Sequence, residues 1–416
     1  MKVYLRTYGC RANQYDTEAV RSILAGAGIT ETPNPEEADA AVFNSCTVTS
    51  AAEADLRSDV RAVARRNPRI RTVVMGCAAA LPAREESKSP LRTLPTVDSV
   101  IAGGDALAVA AALGVTAADL TSGTRAQSGA RALLRIQDGC DEHCTFCATT
   151  IARGANRSRS VTSLVEEARA LAESHPEIVL TGIHIGTYGA DIGSTLSLLV
   201  ERLVLDVPRV RFRLTSVEAT EVDERLTDLL NDDAERVAPH LHAPLQSGSD
   251  AVLKRMGRHW YDARSYARSI DRIVRRRSRF ALSADVITGF PGESDADHRQ
   301  TVELVESLPF TSLHVFPYSP RPGTAAARLG AEVPGGIARV RARELRELAG
   351  RKESAYRRAR AGGECDVVVT ERGKGLTEDY LSVAVADSTI SRRSRFRGRL
   401  RDDGHELIAV TTSQEQ

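Results

Sequence analysis

The sequence predicts an α/β protein in three parts. These are an N-terminal parallel α/β sheet domain (1–120), a central partial (β/α) barrel (130–350) and a small C-terminal antiparallel β domain (355–416). Three observations predict it. Short β-prone runs alternate with amphipathic helical stretches, which implies parallel strands with helices on their faces. A segment rich in Ala, Gly, Ser and Thr, from about Leu107 to Arg131, separates two such series. After the second series the pattern changes to short alternating strands split by Gly- and charge-rich turns. The 416 residues are too many for one ordinary domain, and 42% apolar content is ample for packed cores.

In the first series Val3-Tyr4-Leu5 reads as a strand, and Asp16 is placed to cap a helix through Glu18, Val20, Ile23 and Leu24. Ala40–Phe43 is the next strand, residues 50–66 suit a helix, and Thr72–Met75 is a third strand. Strands apolar on both faces belong in a buried parallel sheet. The stretch around Thr121-Ser122-Gly123-Thr124 reads as a linker. Barrel strands are expected at Leu133–Ile136, Ile178–Leu180, Arg211–Leu214, Leu241, Ala281–Ile287 and Leu313–Phe316. The C-terminal strands are expected at Cys365–Thr370, Tyr380–Val385 and Leu407–Thr411.

Charge is nearly balanced, 56 Lys and Arg against 55 Asp and Glu, so any nucleic-acid contact must come from a local basic patch. No apolar run approaches the roughly 20 residues of a membrane span. The opening Met1-Lys2-Val3-Tyr4-Leu5-Arg6 meets charge too early for a signal peptide. The expectation is a soluble, cytoplasmic protein with no membrane partner.

Seven cysteines are the most informative count. An odd number at irregular spacing makes a poor disulfide framework and points to metal or redox chemistry. Cys140-x3-Cys144-x2-Cys147 follows the predicted strand Leu133–Ile136, so three thiols share one tight loop beside Gly139. Three thiolates on a four-iron cluster leave one iron open to a small chelating molecule. The spacing also admits zinc completed by His143 or a distant histidine, although no second ligand pair at zinc-site spacing follows. Cys10, Cys46 and Cys77 each come just after one of the first three predicted strands. Ligands of an open parallel sheet collect at those carboxyl ends, so the three should share one crevice and form a second three-thiolate site. Buried strands often carry cysteine, but that does not explain three consecutive strands ending alike. Cys365 has no partner pattern and reads as an ordinary core thiol.

Cys140-x3-Cys144-x2-Cys147 with Phe146 before its last cysteine resembles the signature of radical S-adenosylmethionine (SAM) enzymes. The surrounding Gly139–Cys147, then Ala152-Arg153-Gly154 and Arg157-Ser158-Arg159, is similar to the methylthiotransferase family. So are Leu180-Thr181-Gly182-Ile183, Leu214-Thr215-Ser216-Val217-Glu218, Pro244-Leu245-Gln246-Ser247-Gly248-Ser249, Gly289-Phe290-Pro291-Gly292-Glu293 and Phe316–Thr324. The last β region resembles the TRAM domain, an RNA-binding module, so the resemblance spans essentially the whole chain.

The resemblance implies two [4Fe–4S] clusters. One, on Cys140, Cys144 and Cys147, would bind SAM for radical formation; the other, on Cys10, Cys46 and Cys77, would carry the sulfur delivered to the substrate. A second SAM would supply the methyl group. It also implies a tRNA substrate, an electron donor such as flavodoxin or ferredoxin, a sulfur donor and a monomer. Asn44-Ser45-Cys46-Thr47-Val48-Thr49 and Gly9-Cys10-Arg11-Ala12-Asn13-Gln14-Tyr15 resemble the branch acting on N6-threonylcarbamoyladenosine next to the anticodon. Other branches act on isopentenyl-adenosine in tRNA or on a ribosomal-protein aspartate. Two departures stand out: Ala148-Thr149-Thr150 replaces the usual Ile-Ile/Val-Pro, and Ala78-Ala79-Ala80 replaces Tyr-Ala-Gln.

Phe146, Gly182, Glu218, Gln246 and Gly289 are the SAM-binding candidates, the last four near barrel strand ends where catalytic loops are usual. Ordinary turns or helix caps are the plain alternative there. Arg153, Arg157 and Arg159 follow the cluster loop, where arginine forks would suit a carboxylate or tRNA phosphates. His184, His240 and His242 would line the barrel mouth, each alone reading as a structural histidine. The run from Arg392 to Arg401, including Arg393, Arg395 and Arg397, has six arginines in ten positions around Phe396. Such a run is usually a solvated face, but an aromatic within a β domain favours RNA backbone contact. The competing function from another class is a zinc-stabilised RNA-binding protein without catalysis, which would hold zinc and no sulfide.

Overall fold

The structure, a computed structural model, describes residues 1–47, 50–81, 90–116, 127–277 and 279–411. The linker expected around Thr121–Thr124 lies outside the described residues. Two compact units are formed, and neither is continuous in sequence. The first takes residues from Met1–Gln127, Asp138–Arg157 and Ser319–Leu329; the second takes Ser128–Gln137, Ser158–Tyr318 and Gly330–Gln416. The Cys140–Cys147 loop therefore belongs with the N-terminal sheet, and the C-terminal β domain with the (β/α) barrel.

The first unit is built on a parallel sheet of five strands in the order Thr30–Glu31, Lys2–Thr7, Ala40–Ser45, Arg71–Gly76, Val97–Ala102. Alternation along each strand sends apolar side chains to both faces. Val3, Val42, Val73 and Met75 pack with Val20, Leu24 and Val109, while Ala41, Phe43 and Val74 pack with Leu56, Val60 and Val63. That is why every residue of Ala40–Ser45 is buried. Helices Arg11–Gly26 and Ser50–Arg66 supply most of that cover. The first begins earlier than expected: Cys10 is its N-cap, and Asp16 lies inside it, wholly buried, instead of capping it.

In the second unit two parallel three-stranded sheets make the partial barrel. One holds Arg211–Leu214, Glu177–Thr181 and Ala132–Arg135; the other holds His240–His242, Ala281–Thr288 and Ser312–Pro317. Parallel bridges Phe212↔Val237 and Ser216↔His242 join them. The outer face is apolar, with Leu134, Leu180, Phe212, Leu241, Leu282, Ala284 and Val286 buried in one core with the helices. Six of these helices start on a side chain that accepts from the backbone of the first turn: Ser160, Thr195, Asp223, Ser249, Asp262 and Ser294. Each such cap satisfies an otherwise orphan N–H and fixes where a strand-to-helix loop ends.

The C-terminal strands Glu364–Glu371, Lys374–Thr377, Ser382–Val385, Arg395–Asp402 and Leu407–Thr411 close into a small barrel. All pairs are antiparallel except Ser382–Val385 with Leu407–Thr411. This domain packs against the (β/α) barrel at strand Arg211–Leu214. There Arg211 and Arg213, both with no exposed side chain, flank buried Glu177 at 2.7 and 2.8 Å. Arg211 also donates to the Asp366 carbonyl at 3.1 Å, and Arg213 to the Thr377 carbonyl at 3.1 Å. The two arginines hold the Glu177 carboxyl well below the usual carboxylate range, against the upward pull of burial. Among the described residues no helix is long and apolar enough to cross a membrane.

Candidate active site

The first unit gathers the three strand-end cysteines. Cys10 caps the helix after the first strand, Cys46 follows Ala40–Ser45, and Cys77 opens the short helix Cys77–Ala80 after Arg71–Gly76. Gly9 sits at φ 90°, and a Cβ there would lie 2.4 Å from Cys46 Sγ, so only glycine lets the first loop close over that thiol. Asn13 stitches the site together. Its amide donates to the Tyr8 and Ser45 carbonyls at 3.0 and 2.7 Å, and its Oδ1 lies 3.6 Å from Cys77 Sγ and 3.9 Å from Cys10 Sγ.

Arg153 enters the same pocket from helix Thr149–Arg153, just beyond the Cys140–Cys147 loop. Its side chain is 1% exposed. Nε lies 3.3 Å from Cys77 Sγ, and Nη2 donates to Asn13 Oδ1 at 2.8 Å and Asp16 Oδ2 at 2.7 Å. Arg153, expected to contact RNA, instead has its guanidinium buried beside the Cys77 thiol and the Asp16 carboxylate. Burial pushes the Cys77 thiol up to about 11; Arg153 pulls it down, and Cys10 and Cys46 push it further up. A metal that takes this sulfur must displace its proton.

Neither Asn13 nor Asp16, expected only as a helix cap, is among the site residues the sequence predicts, yet a signal exists. Asn13, Asp16 and Thr17 fall at helical i, i+3, i+4 spacing on the buried face of Arg11–Gly26. Polar residues that are poor helix formers, on the face meant for the core, mark a site.

The loop with Cys140, Cys144 and Cys147 is tied down locally. Cys140 N donates to the Gly154 carbonyl at 2.9 Å, and Cys147 N to that of Cys144 at 3.1 Å. Gly139, at φ 73°, would place a Cβ 1.9 Å from the Ala155 carbonyl oxygen, so the chain passes here only as glycine. The three thiols and Phe146 are half-buried. Segment Ser319–Leu329 closes on the same unit: Ala326 N donates to the Thr145 carbonyl at 2.8 Å, and buried Arg321 pairs with Glu53. Among the described residues, the one set of three ligand atoms within 4.8 Å of each other is His242, Asp285 and His314.

In the second unit Glu218 is buried, with Oε1 paired to Arg258 and Oε2 without a hydrogen-bond partner in the protein. Burial raises its carboxyl above the usual range, against the pull of Arg258. An orphan buried acceptor at a strand end is what a ligand donor would satisfy. Gln246 holds φ 62°, rare for a residue with a side chain, and its carbonyl accepts from Ile287 N at 2.9 Å. Gly182 and Gly289 have packing reasons as well: a Cβ would meet Gln137 O at 2.7 Å and Ala338 Cβ at 2.4 Å respectively.

The remaining arginines are scattered. Arg157 is exposed and donates to the Arg153 carbonyl at 3.0 Å; Arg159 pairs with Glu167 at 2.7 Å. In the C-terminal strip the expected RNA residues are engaged by the protein itself. Arg392 donates to the Ser128 carbonyl at 2.6 Å, Arg393 to that of Gly129 at 3.2 Å, and Arg395 grips Asp366 with two bonds of 2.8 and 2.6 Å. Arg397, Arg399 and Arg401 alternate along Arg395–Asp402 on its exposed side, with Arg397 also paired to Glu235. Cys365 is a buried core thiol, pushed up to about 12 by burial.

Comparison with known proteins places the chain. The "Uncharacterized protein family UPF0004" matches residues 2–102, and the "Radical SAM superfamily" matches residues 134–305. A threonylcarbamoyladenosine tRNA methylthiotransferase of Thermotoga maritima is 34% identical, covering 88% of this chain and 86% of that protein. One from Aquifex aeolicus is 32% identical over 92% and 96%. The tRNA-2-methylthio-N(6)-dimethylallyladenosine synthase of Erythrobacter litoralis is also 32% identical, over 89% and 86%. The apo structure of OxsB, a cobalamin-dependent SAM radical enzyme, matches with TM-score 0.51 at 12% identity, over 85% of this chain and 61% of that one, a likeness of fold. With its thiol triads and these relatives, the chain belongs to the radical SAM methylthiotransferase family.

Proposed function

We propose that this protein adds a methylthio group to C2 of N6-threonylcarbamoyladenosine next to the anticodon of tRNA, in the cytoplasm, using two four-iron clusters. Cys140, Cys144 and Cys147 would hold one cluster, which would supply the electron for reductive cleavage of SAM; Cys10, Cys46 and Cys77 would hold the other, which would supply sulfur. The observation that carries this reading is the meeting of Cys10, Cys46 and Cys77 around Asn13 and Arg153, in the same unit as the Cys140–Cys147 loop. Four curated threonylcarbamoyl enzymes at 31–34% identity support the substrate.

The chain's own groups have distinct tasks. Asn13 and Arg153 hold the Cys77 sulfur in place. Glu218 Oε2 offers an acceptor to a hydroxyl or ammonium group of SAM, while Arg258 fixes its other oxygen. Exposed Arg397, Arg399 and Arg401 face the tRNA backbone. A flavodoxin- or ferredoxin-like donor supplies electrons to a monomer, and a separate donor renews the sulfur.

The test is methylthiolation of tRNA by anaerobically reconstituted protein, read by mass spectrometry of nucleosides. The expected product is the 2-methylthio derivative of threonylcarbamoyladenosine. Cys46→Ala should keep SAM cleavage and lose thiolation. Methylthiolation of a ribosomal-protein peptide instead of tRNA, or loss of both activities in Cys46→Ala, would contradict the reading.

A further inference from the structure

The inner face of the partial barrel carries a polar group that the cluster chemistry leaves unused. His242, Asp285 and His314 come from three neighbouring strands. The parallel register sets His242 beside Ser283 and Asp285 beside His314. Alternation turns these residues away from the buried outer row of Leu241, Ala284 and Val286. One ligand-capable atom from each of the three lies within 4.8 Å of the other two. Ser283 Oγ sits 2.9 Å from His242 Nδ1, His242 Nε2 sits 3.3 Å from Asp285 Oδ2, and the two imidazole rings are 5.7 Å apart. His314 is exposed and the other two are half-buried, so the group is open to a ligand. Below it His240 stacks on Tyr380 of the C-terminal barrel at 4.5 Å, backing the group from the closed end.

We infer that His242, Asp285 and His314 form the subsite that selects a polar, hydrogen-bonding group on N6 of the target adenosine over an apolar one. This rests on the methylthiotransferase reading and adds the residues that choose the substrate. Overall identity does not make that choice: threonylcarbamoyl enzymes match at 31–34% and a dimethylallyladenosine synthase at 32%. A threonylcarbamoyl group carries N–H and hydroxyl donors for Asp285, and a carboxylate for the ring N–H of His314. His242, held by Ser283, fixes the second Asp285 oxygen and so orients the carboxylate. A dimethylallyl group in the same space would take water from Asp285 and two imidazoles and return no hydrogen bond. Sites built around such bonds reject analogues lacking them by up to about 10⁴–10⁵-fold.

The test compares reconstituted wild-type, Asp285→Leu and His314→Phe proteins on two synthetic anticodon stem-loops that differ only in the N6 group, threonylcarbamoyl or dimethylallyl. The readout is kcat/KM for the 2-methylthio product, with iron and labile sulfide per chain as the check on folding. Wild type should prefer the threonylcarbamoyl stem-loop. Each variant should lose at least about tenfold on it while holding or gaining on the other, so the ratio collapses. His314→Asn, which keeps a donor, should retain part of the preference. If Asp285→Leu loses iron, His314→Phe, at an exposed position, carries the test. An equal loss on both stem-loops with iron retained would overturn the inference. So would a wild-type preference abolished by a chelator that leaves iron and sulfide untouched, because the triad would then be a divalent-cation site. Wild-type protein that modifies neither stem-loop, or only the dimethylallyl one, would instead overturn the functional reading itself.

Discussion

Two buried arginine centres can be set side by side. On the barrel floor, Arg211 and Arg213 enclose Glu177 with Arg131 beside them, and the buried pair also meets carbonyls and Asp366 of the C-terminal domain. In the thiol pocket, Arg153 meets Asp16, Asn13 and Cys77. In the first centre the carboxylate is held ionised by its own neighbours, although Arg211 Nη2 and Arg213 Nη1 find no hydrogen-bond partner. In the second the thiol is not. Asp16 already answers the Arg153 charge, so Arg153 cannot by itself ionise Cys77, which stays up at about 11. An anion balanced by its own arginines holds domains together, whereas a thiol pocket short of positive charge is prepared for a metal group.

The largest effect expected from this contrast is on the floor. Glu177→Gln leaves fully buried Arg213 without its anion and Arg211 with Asp366 alone, and should cost about 3–5 kcal/mol, read from the urea midpoint of cluster-loaded protein. Next comes the pocket. Arg153→Met leaves buried Asp16 without its cation, so it should lower stability as well, and it should strip iron and sulfide from the auxiliary site, while Arg153→Lys restores part of both. A Met variant with full iron content would break the contrast.

A third expectation concerns pH. Glu177 has a folded value depressed below its unfolded one, near 4.5, so its stabilisation is present above that value and disappears as pH falls toward the folded value. The stability gap between wild type and Glu177→Gln should therefore hold from pH 7 to about 5 and shrink below 4.5. A gap that widens on acidification would contradict the assignment. The smallest effect is chemical. In cluster-free protein at pH 8, exposed Cys10 should alkylate readily and buried Cys77 slowly, as peptide mass spectrometry would show.

Much of this was legible in the sequence because it depends on local order. Three β-prone runs each followed by cysteine suffice to place Cys10, Cys46 and Cys77 at one sheet edge, since a parallel sheet aligns its carboxyl ends. The barrel strands were readable for the same reason, from apolar runs at regular spacing. What escaped depends on partners far along the chain. Asp16 looks like a helix cap until Arg153, 137 positions later, is seen beside it. The arginine run from Arg392 reads as a free basic strip, but Asp366 and the carbonyls of Ser128 and Gly129 occupy much of it. Strand Val97–Ala102 lies at the sheet edge, with a half-buried pattern and no long apolar run to announce it.

The most direct test is an anaerobic count of iron, labile sulfide and zinc per chain in wild type and in the Cys10/Cys46/Cys77→Ala triple variant. Two four-iron clusters predict about eight iron and eight sulfide, falling to about four of each in the variant, with no zinc. An unchanged iron count in the variant, or zinc in place of iron and sulfide, would contradict the account.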